Sequence, residues 1–366
     1  MPAPSDFDLP TLQTALTRAG LRPCHALTVL RNFMDTGGVT NLDPAIVGNG
    51  VIQYLQQNLS EPRSRVLEKA VSSDGTTKLL IGFTGGGAVE SVLMNGFRDG
   101  LAAGCVSSQI GCAMGCDFCA STRNGLERNL DAGEIVEQFL HLKMQAKLLN
   151  RRLKTLVFMG MGEPMLNLDA VLDAIRRIGE PRTGGIGWRQ MTVSTVGIVP
   201  GIDRLADADL NVHLALSLHA PDDATRSKLV PSNRRYPVAE IIDAAKRFLA
   251  RTRRIPTIEY CMLADVNDTE EQAHMLADLM DNFRAHVNLI PYNPIGVGVT
   301  GTTYATPSRA RQMAFLQILL KRKVAAHFRG TRGDDVNAAC GQLRETSRRR
   351  LSLLVVPGES SISIRP

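Results

Sequence analysis

From residue 103 onward short apolar runs alternate with long amphipathic ones, and this alternation constrains the fold more than any other feature of the chain. "AAGCVSSQI", "KTLVFMG", "QMTVSTV", "VHLALSL", "IPTIEYCML" and "HVNLIPY" each read as a buried strand. Between most of them lie helical segments with visible start signals: Asp131 with Glu134, Asp268 with Glu271, and Thr306-Pro307. Repeated strand-helix units predict a parallel sheet, and about 190 residues holding six of them suit a partial (β/α)6 barrel better than the eightfold one. In such α/β folds chemistry collects at the C-terminal ends of the strands. Ahead of this core, residues 1–60 show apolar positions at helical spacing in "LQTALTRAGL" and "ALTVLRNFM", which predicts a small N-terminal helical domain. Residues 61–100, broken at Asp74-Gly75 and at Gly85 to Gly87, read as a short antiparallel meander. The core is expected over residues 101–343 and a basic tail over 344–366.

At 366 residues the chain is too long for a disulfide-stapled scaffold and can bury a sizeable core. No apolar run approaches the roughly 20 residues that span a bilayer. The opening "MPAPSDFDLPTLQTAL" lacks the order of a secretion signal, so a cytoplasmic protein with no membrane partner is expected. Seven cysteines, odd in number and uneven in spacing, favour metal ligation or catalysis over disulfides. A net charge of +6 permits a nucleic-acid partner without demanding one.

Three of those cysteines, Cys112, Cys116 and Cys119, fall just after the first predicted strand in "IGCAMGCDFCAS". A closed zinc site needs four ligands and a ferredoxin-type cluster four cysteines. Cys105, on the strand itself, is roughly 23 Å away if the chain is extended, and makes a poor fourth ligand. Three thiolates suit a cubane that leaves one iron open for chemistry, with zinc as the alternative. Downstream, "GMGEP" combines glycines that allow close backbone approach with Glu163, whose carboxylate can accept bonds from an ammonium; taken alone it reads rather as a tight turn with a solvated Glu. Cys340 sits among small residues in the polar run "RGDDVNAACGQL", a setting for close approach by a reacting group, although a lone Cys is more often a buried hydrophobe.

CxxxCxxC with Phe118 before the last Cys resembles the radical S-adenosylmethionine superfamily. "CVSSQIGCAMGCDFCASTRNGLERNL", "VFMGMGEPMLN", "LALSLHAPDDATRSKLVPSN", "LIPYNP" and "TRGDDVNAACGQL" together resemble, in order from residue 88 to 343, the radical adenine-C2 methyltransferases of 23S rRNA and tRNA. A close relative, the C8-methylating resistance enzyme, shares most of these motifs, so C8 methylation stays open. The resemblance is weak before residue 88 and absent after Leu343.

The resemblance implies a 4Fe-4S cluster on Cys112, Cys116 and Cys119, and S-adenosylmethionine held by Gly162, Glu163, Ser194, Ser217, Leu218, His219 and Asn293. It makes Cys340 the methyl carrier, Cys105 the second catalytic cysteine that closes a transient disulfide with it, and Glu90 the base that takes the C2 proton. The spacing from Glu90 to Cys105 is longer than the family's by a pair of residues. Two S-adenosylmethionine molecules per turnover, an electron donor such as flavodoxin or ferredoxin, and a monomeric enzyme are expected with it. A radical route has a chemical reason: C2 is an electron-poor carbon and cannot displace a sulfonium, whereas a thiolate can. Cys24 and Cys261 match no motif and read as structural. Basic clusters at Arg176-Arg177, Arg234-Arg235, Arg251 with Arg253-Arg254, Lys321 to Lys323 and Arg348 to Arg350 are in part solvated faces, the last being the one that could meet phosphates. The rival from another class is a non-catalytic RNA-binding or electron-transfer protein with a metal loop, which has no need of Cys340.

Overall fold

The computed structural model describes residues 1–39, 42–330 and 332–343. Four helices come first: α1 (Leu9–Arg18), α2 (His25–Thr36), α3 (Pro44–Val47) and α4 (Asn49–Asn58). Asp8 opens α1 through a capping box with Thr11. The inward residues Leu12, Leu16, Val29, Val51 and Leu55 close a cluster of their own. Phe33 and Met34 of α2 reach instead into the main core.

β1 (Ser64–Val71), β2 (Thr77–Phe83) and β3 (Ala88–Asn95) form an antiparallel meander. It is continuous with the core, because β3 pairs with β4 (Leu101–Cys105). β5 (Gln109–Gly111) and β6 (Leu126–Asn129) make a separate two-stranded ribbon. The strand-helix units follow: α5 (Ala132–Leu148), β7 (Arg152–Phe158), α6 (Leu168–Ile178), β8 (Met191–Thr195), α7 (Val199–Asp207) and β9 (His213–Ser217). They continue with α8 (Asp223–Leu229), α9 (Val238–Thr252), β10 (Thr257–Met262), α10 (Glu270–Leu279), β11 (His286–Pro291), α11 (Arg309–Lys321) and β12 (Ala325–Phe328). All the large strands join one sheet in the order β1-β2-β3-β4-β7-β8-β9-β10-β11-β12, parallel from β4 onward. This is an α/β partial barrel whose helices bury Val136, Phe139, Ile175, Ile202, Ile241 and Phe248 against the strands.

Three details depart from the sequence reading. "AAGCVSSQI" is not one strand. β4 stops at Cys105, and the buried Gln138 of α5 takes over the backbone of Ser107, accepting from its N–H at 2.8 Å and donating to its carbonyl at 3.1 Å. A seventh parallel strand, β12, joins the expected six. It is four residues long and rich in alanine, without the apolar run that marks the others. The capping box of α5 is Asp131 with Glu134 as expected, but that of α10 is Thr269 with Gln272, and Ser308 caps α11. Asp268 instead accepts the Asp265 N–H at 2.9 Å and pairs with Arg311. Among the described residues no helix is long and apolar enough to cross a membrane.

Candidate active site

β5 ends at Gly111, so Cys112 starts a loop at the C-terminal side of β4, and its N–H donates to Gly125 O at 2.9 Å. The loop is held from several sides. Asp117 donates its N–H to Leu229 O at 3.0 Å, while its carboxylate accepts the Thr300 N–H and hydroxyl, each at 2.7 Å, and the Tyr304 hydroxyl at 2.6 Å. Burial pushes all three thiols up, and for Cys112, which reaches about 12, and for Cys116 the neighbouring thiols add to the effect. A buried thiol of this kind gives up its proton when a cation takes the proton's place. Among the described residues no three His, Cys, Asp or Glu side chains converge on a single metal ion, which a cubane does not require, since each thiolate takes a different iron. In donor type, number and burial the set fits an iron–sulfur cluster with one iron left to another ligand.

Cys116 and Cys119 face a cavity whose wall also includes Gly162, Glu163, Ser194, Ser217, His219 and Cys340. Gly162 has φ +95°, and a Cβ there would lie 2.5 Å from the Cβ of Gln109, so glycine is required for the turn after β7 to lie on the ribbon. The Gln109 side chain accepts the Glu163 N–H at 2.8 Å. Glu163 is buried, and its carboxylate accepts N–H bonds from Met165 at 3.0 Å and Val196 at 2.9 Å. Burial outweighs these bonds and raises its pKa to about 7. The hydroxyls of Ser194 and Ser217, from adjacent strands, are 3.3 Å apart.

His219 adopts a left-handed backbone, φ +61°, accepts the Cys261 N–H on Nδ1 at 3.0 Å, and packs edge-on against Phe118. Burial, helped by Arg226, lowers its pKa to about 3, so the ring is neutral. Leu218 departs from expectation, because its side chain belongs to the hydrophobic core rather than to the cavity wall. Its carbonyl accepts from Arg226 Nε at 2.9 Å.

Cys340 is exposed and lies on a loop, residues 332–343, tied at both ends. At one end Gly333 N–H donates to Asp74 at 3.1 Å, Ser73 N–H donates to Asp335 at 2.9 Å, and Arg332 donates to the Asn95 carbonyl. At the other, Ala120 N–H donates to Gly341 O at 2.7 Å and the Ser121 hydroxyl to Leu343 O at 2.6 Å. Asn293 does not line the cavity; its amide donates to the Cys340 carbonyl at 3.3 Å. Cys105, buried at the end of β4, has its thiol pushed up to about 12 by burial and by the neighbouring Cys340, with Arg329 opposing. Glu90 is off the cavity wall too, on β3, with its carboxylate 2.8 Å from Lys78 Nζ.

Several wall residues escaped the sequence reading. Cys261, read as structural, faces the cavity with Cys340 and Cys119 near enough to add to the effect of burial in pushing its thiol up. Glu259 is a buried carboxylate in an apolar strand, which was a usable signal. It accepts from Asn288 at 2.9 Å and faces Arg329 Nη1 at 3.6 Å. Arg329 stands in no motif, and nothing in the sequence singles it out. Arg226 is fully buried and donates to Leu218 O, Asn233 Oδ1, Val196 O and Ser217 O, fastening the ends of β8 and β9 under the cavity. Of the basic clusters, Arg176, Arg251 and Arg322 are engaged in ion pairs with Asp173, Asp203 and Asp278. Arg348 to Arg350 lie outside the described residues.

A family model described as the radical SAM superfamily matches residues 106–279. Over 343 residues, 94% of this chain and 97% of the relative, the sequence is 48% identical to a probable dual-specificity RNA methyltransferase RlmN 1 of Opitutus terrae. It is 46% identical to a probable dual-specificity RNA methyltransferase RlmN of Rhodopirellula baltica, over 93% of this chain and 90% of the relative. A crystal structure of a radical SAM methyltransferase from Sphaerobacter thermophilus superposes with TM-score 0.86 at 39% identity, covering 94% of this chain and 99% of that one.

Proposed function

The chain belongs to the RlmN-type dual-specificity RNA methyltransferases of the radical SAM superfamily, and on that premise we propose that it methylates an adenine C2 in large-subunit rRNA and in tRNA, carrying the methyl group on Cys340. The observation that carries the reading is the single cavity onto which Cys340, the cysteine loop and Glu163 all face, with Cys105 within electrostatic reach of Cys340. Cys112, Cys116 and Cys119 hold the cluster. Glu163 receives the ammonium of S-adenosylmethionine, with Gly162, Ser194, Ser217 and His219 around it, and Leu218 and Asn293 contribute from behind the wall. When bound, the cluster and S-adenosylmethionine supply the radical that makes a methyl carbon reactive toward C2, with one electron lent and taken back.

The protein's own residues then have separate tasks. Cys340 Sγ gives up its proton and takes the methyl of one S-adenosylmethionine, its new S–C bond replacing the sulfonium C–S bond. After that carbon has lost a hydrogen and joined C2, the RNA is tethered to Cys340. Glu90 takes the C2 proton. Cys105 Sγ bonds Cys340 Sγ, the Cys340 S–C bond breaks, and the released carbon takes a proton to become the methyl group. Two S-adenosylmethionine molecules are consumed per turnover. An electron carrier of the flavodoxin or ferredoxin kind serves the enzyme, which acts as a cytoplasmic monomer. In the same reading residues 1–60 are an accessory domain, and their separate hydrophobic cluster supports the division.

Mass spectrometry of adenosines from unmodified rRNA and tRNA transcripts treated with reconstituted protein tests this. Native protein is expected to yield 2-methyladenosine, and neither Cys340→Ala nor Cys105→Ala any product. A covalent RNA adduct is expected only from Cys105→Ala. An active Cys340→Ala variant would overturn the reading, and 8-methyladenosine would reassign the position.

A further inference from the structure

Lys78 occupies a place that the reaction scheme above leaves unexplained. In the sheet Lys78 is paired with Val92, and Val92 with Cys105, so these three side chains share one face. Glu90 lies two positions from Val92 on β3 and projects to that same face. Lys78 Nζ is 2.8 Å from Glu90 Oε1 and donates to the Asn337 carbonyl at 3.1 Å. Asn337, in left-handed conformation at φ +51°, stands three residues before Cys340. The Lys78 and Glu90 side chains are only 15% and 5% exposed, so their ion pair is shielded from water, whereas the bond to Asn337 lies at the surface. An ammonium has three donors and can serve both acceptors at once.

We infer that Lys78 is a positioning residue for release of the methylated RNA, holding the Glu90 carboxylate and the Cys340 loop in one fixed relation. The inference rests on the reading of Glu90 as base and Cys340 as carrier. Release requires two events at the tether. The Glu90 carboxylate removes the C2 proton, leaving the C–H electron pair in the ring. The Cys105 thiolate attacks Cys340 Sγ, so that an S–S bond forms, the S–CH2 bond breaks, and its electron pair stays on carbon, which takes a proton from solvent. The two events involve different strands and one loop, and Lys78 contacts both Glu90 and that loop. Removing it takes the 2.8 Å ammonium contact from a buried carboxylate and a donor from the loop carbonyl.

The test uses reconstituted holoenzyme, an unmodified rRNA transcript and three readouts: S-methyl-Cys340 by peptide mass spectrometry, covalent protein–RNA adduct on denaturing gels, and methyladenosine. Lys78→Met is expected to methylate Cys340 at the native rate yet to accumulate adduct, with release slowed about tenfold or more, the scale of one lost charged hydrogen bond. Lys78→Arg is expected to restore release, which a merely structural role would not require. If Lys78→Met fails to fold, Lys78→Gln takes its place, keeping a donor but losing the charge, and is likewise expected to trap adduct. Glu90→Gln separates the two levels. If it traps no adduct, the reading of Glu90 as base fails. If it traps adduct while the neutral Lys78 variants release RNA at the native rate, the inference about Lys78 is overturned.

Discussion

At the scale of single residues, burial does much of the chemical work. Glu163 makes the clearest case, since its two N–H bonds would favour the charged form and its surroundings favour the neutral one. A ligand ammonium would settle that contest. Met165 and Val196 donate to different oxygens of Glu163, so Glu163→Gln keeps an acceptor for one of them and loses the charge, and affinity for S-adenosylmethionine, measured by calorimetry, is expected to fall roughly 10- to 100-fold. His219 carries the opposite burden. Its folded pKa of about 3 lies below the ordinary 6.5, so the unfolded chain binds a proton that the folded chain refuses. The stability this residue contributes is whole above about pH 6.5 and is lost as pH falls toward 3, at about 1.4 kcal/mol per pH unit. His219→Asn, which tolerates the left-handed backbone, is expected to lose that portion of the slope in urea unfolding at pH 6.5 and pH 5. Residue types at fixed spacing made the cysteine loop legible in the sequence, whereas Glu163 and Cys340 were singled out by the resemblance to a known family. Arg329 was illegible, because a lone arginine acquires meaning only from what the fold sets beside it.

At the scale of elements, the strand-helix alternation was readable because buried parallel strands are continuous apolar runs. β12 escaped for the converse reason, and the split of "AAGCVSSQI" into β4 and β5 escaped because its cause is a side chain on another element. Gln138 of α5 accepts from Ser107 N–H and the Ser91 hydroxyl and donates to Ser107 O, all buried. Gln138→Leu strands these groups, and a loss of about 2–4 kcal/mol in unfolding free energy is expected from chemical denaturation. The hairpin of β3 and β4 fixes the relation between Glu90 and Cys105. Its register, Val92 opposite Cys105, places both on one face.

At the scale of the whole molecule, the sheet is open, with β1 at one edge and β12 at the other. The segment that follows β12 runs back to the β1–β2 turn, where Asp74 and Ser73 receive it, before carrying Cys340 to the cysteine loop. Asp74→Ala frees the first attachment, and limited trypsin digestion is expected to cut after Arg332 severalfold faster while the thermal midpoint moves by only about 1–2 °C. None of this closure is visible in the sequence, since it depends on contacts between positions some 260 residues apart. The seam of the barrel and the carrier of the methyl group are thus one stretch of polypeptide. A polynucleotide that pried the seam apart to gain entry would carry the nucleophile off its mark, so a productive docking route has to leave this side of the doorway shut.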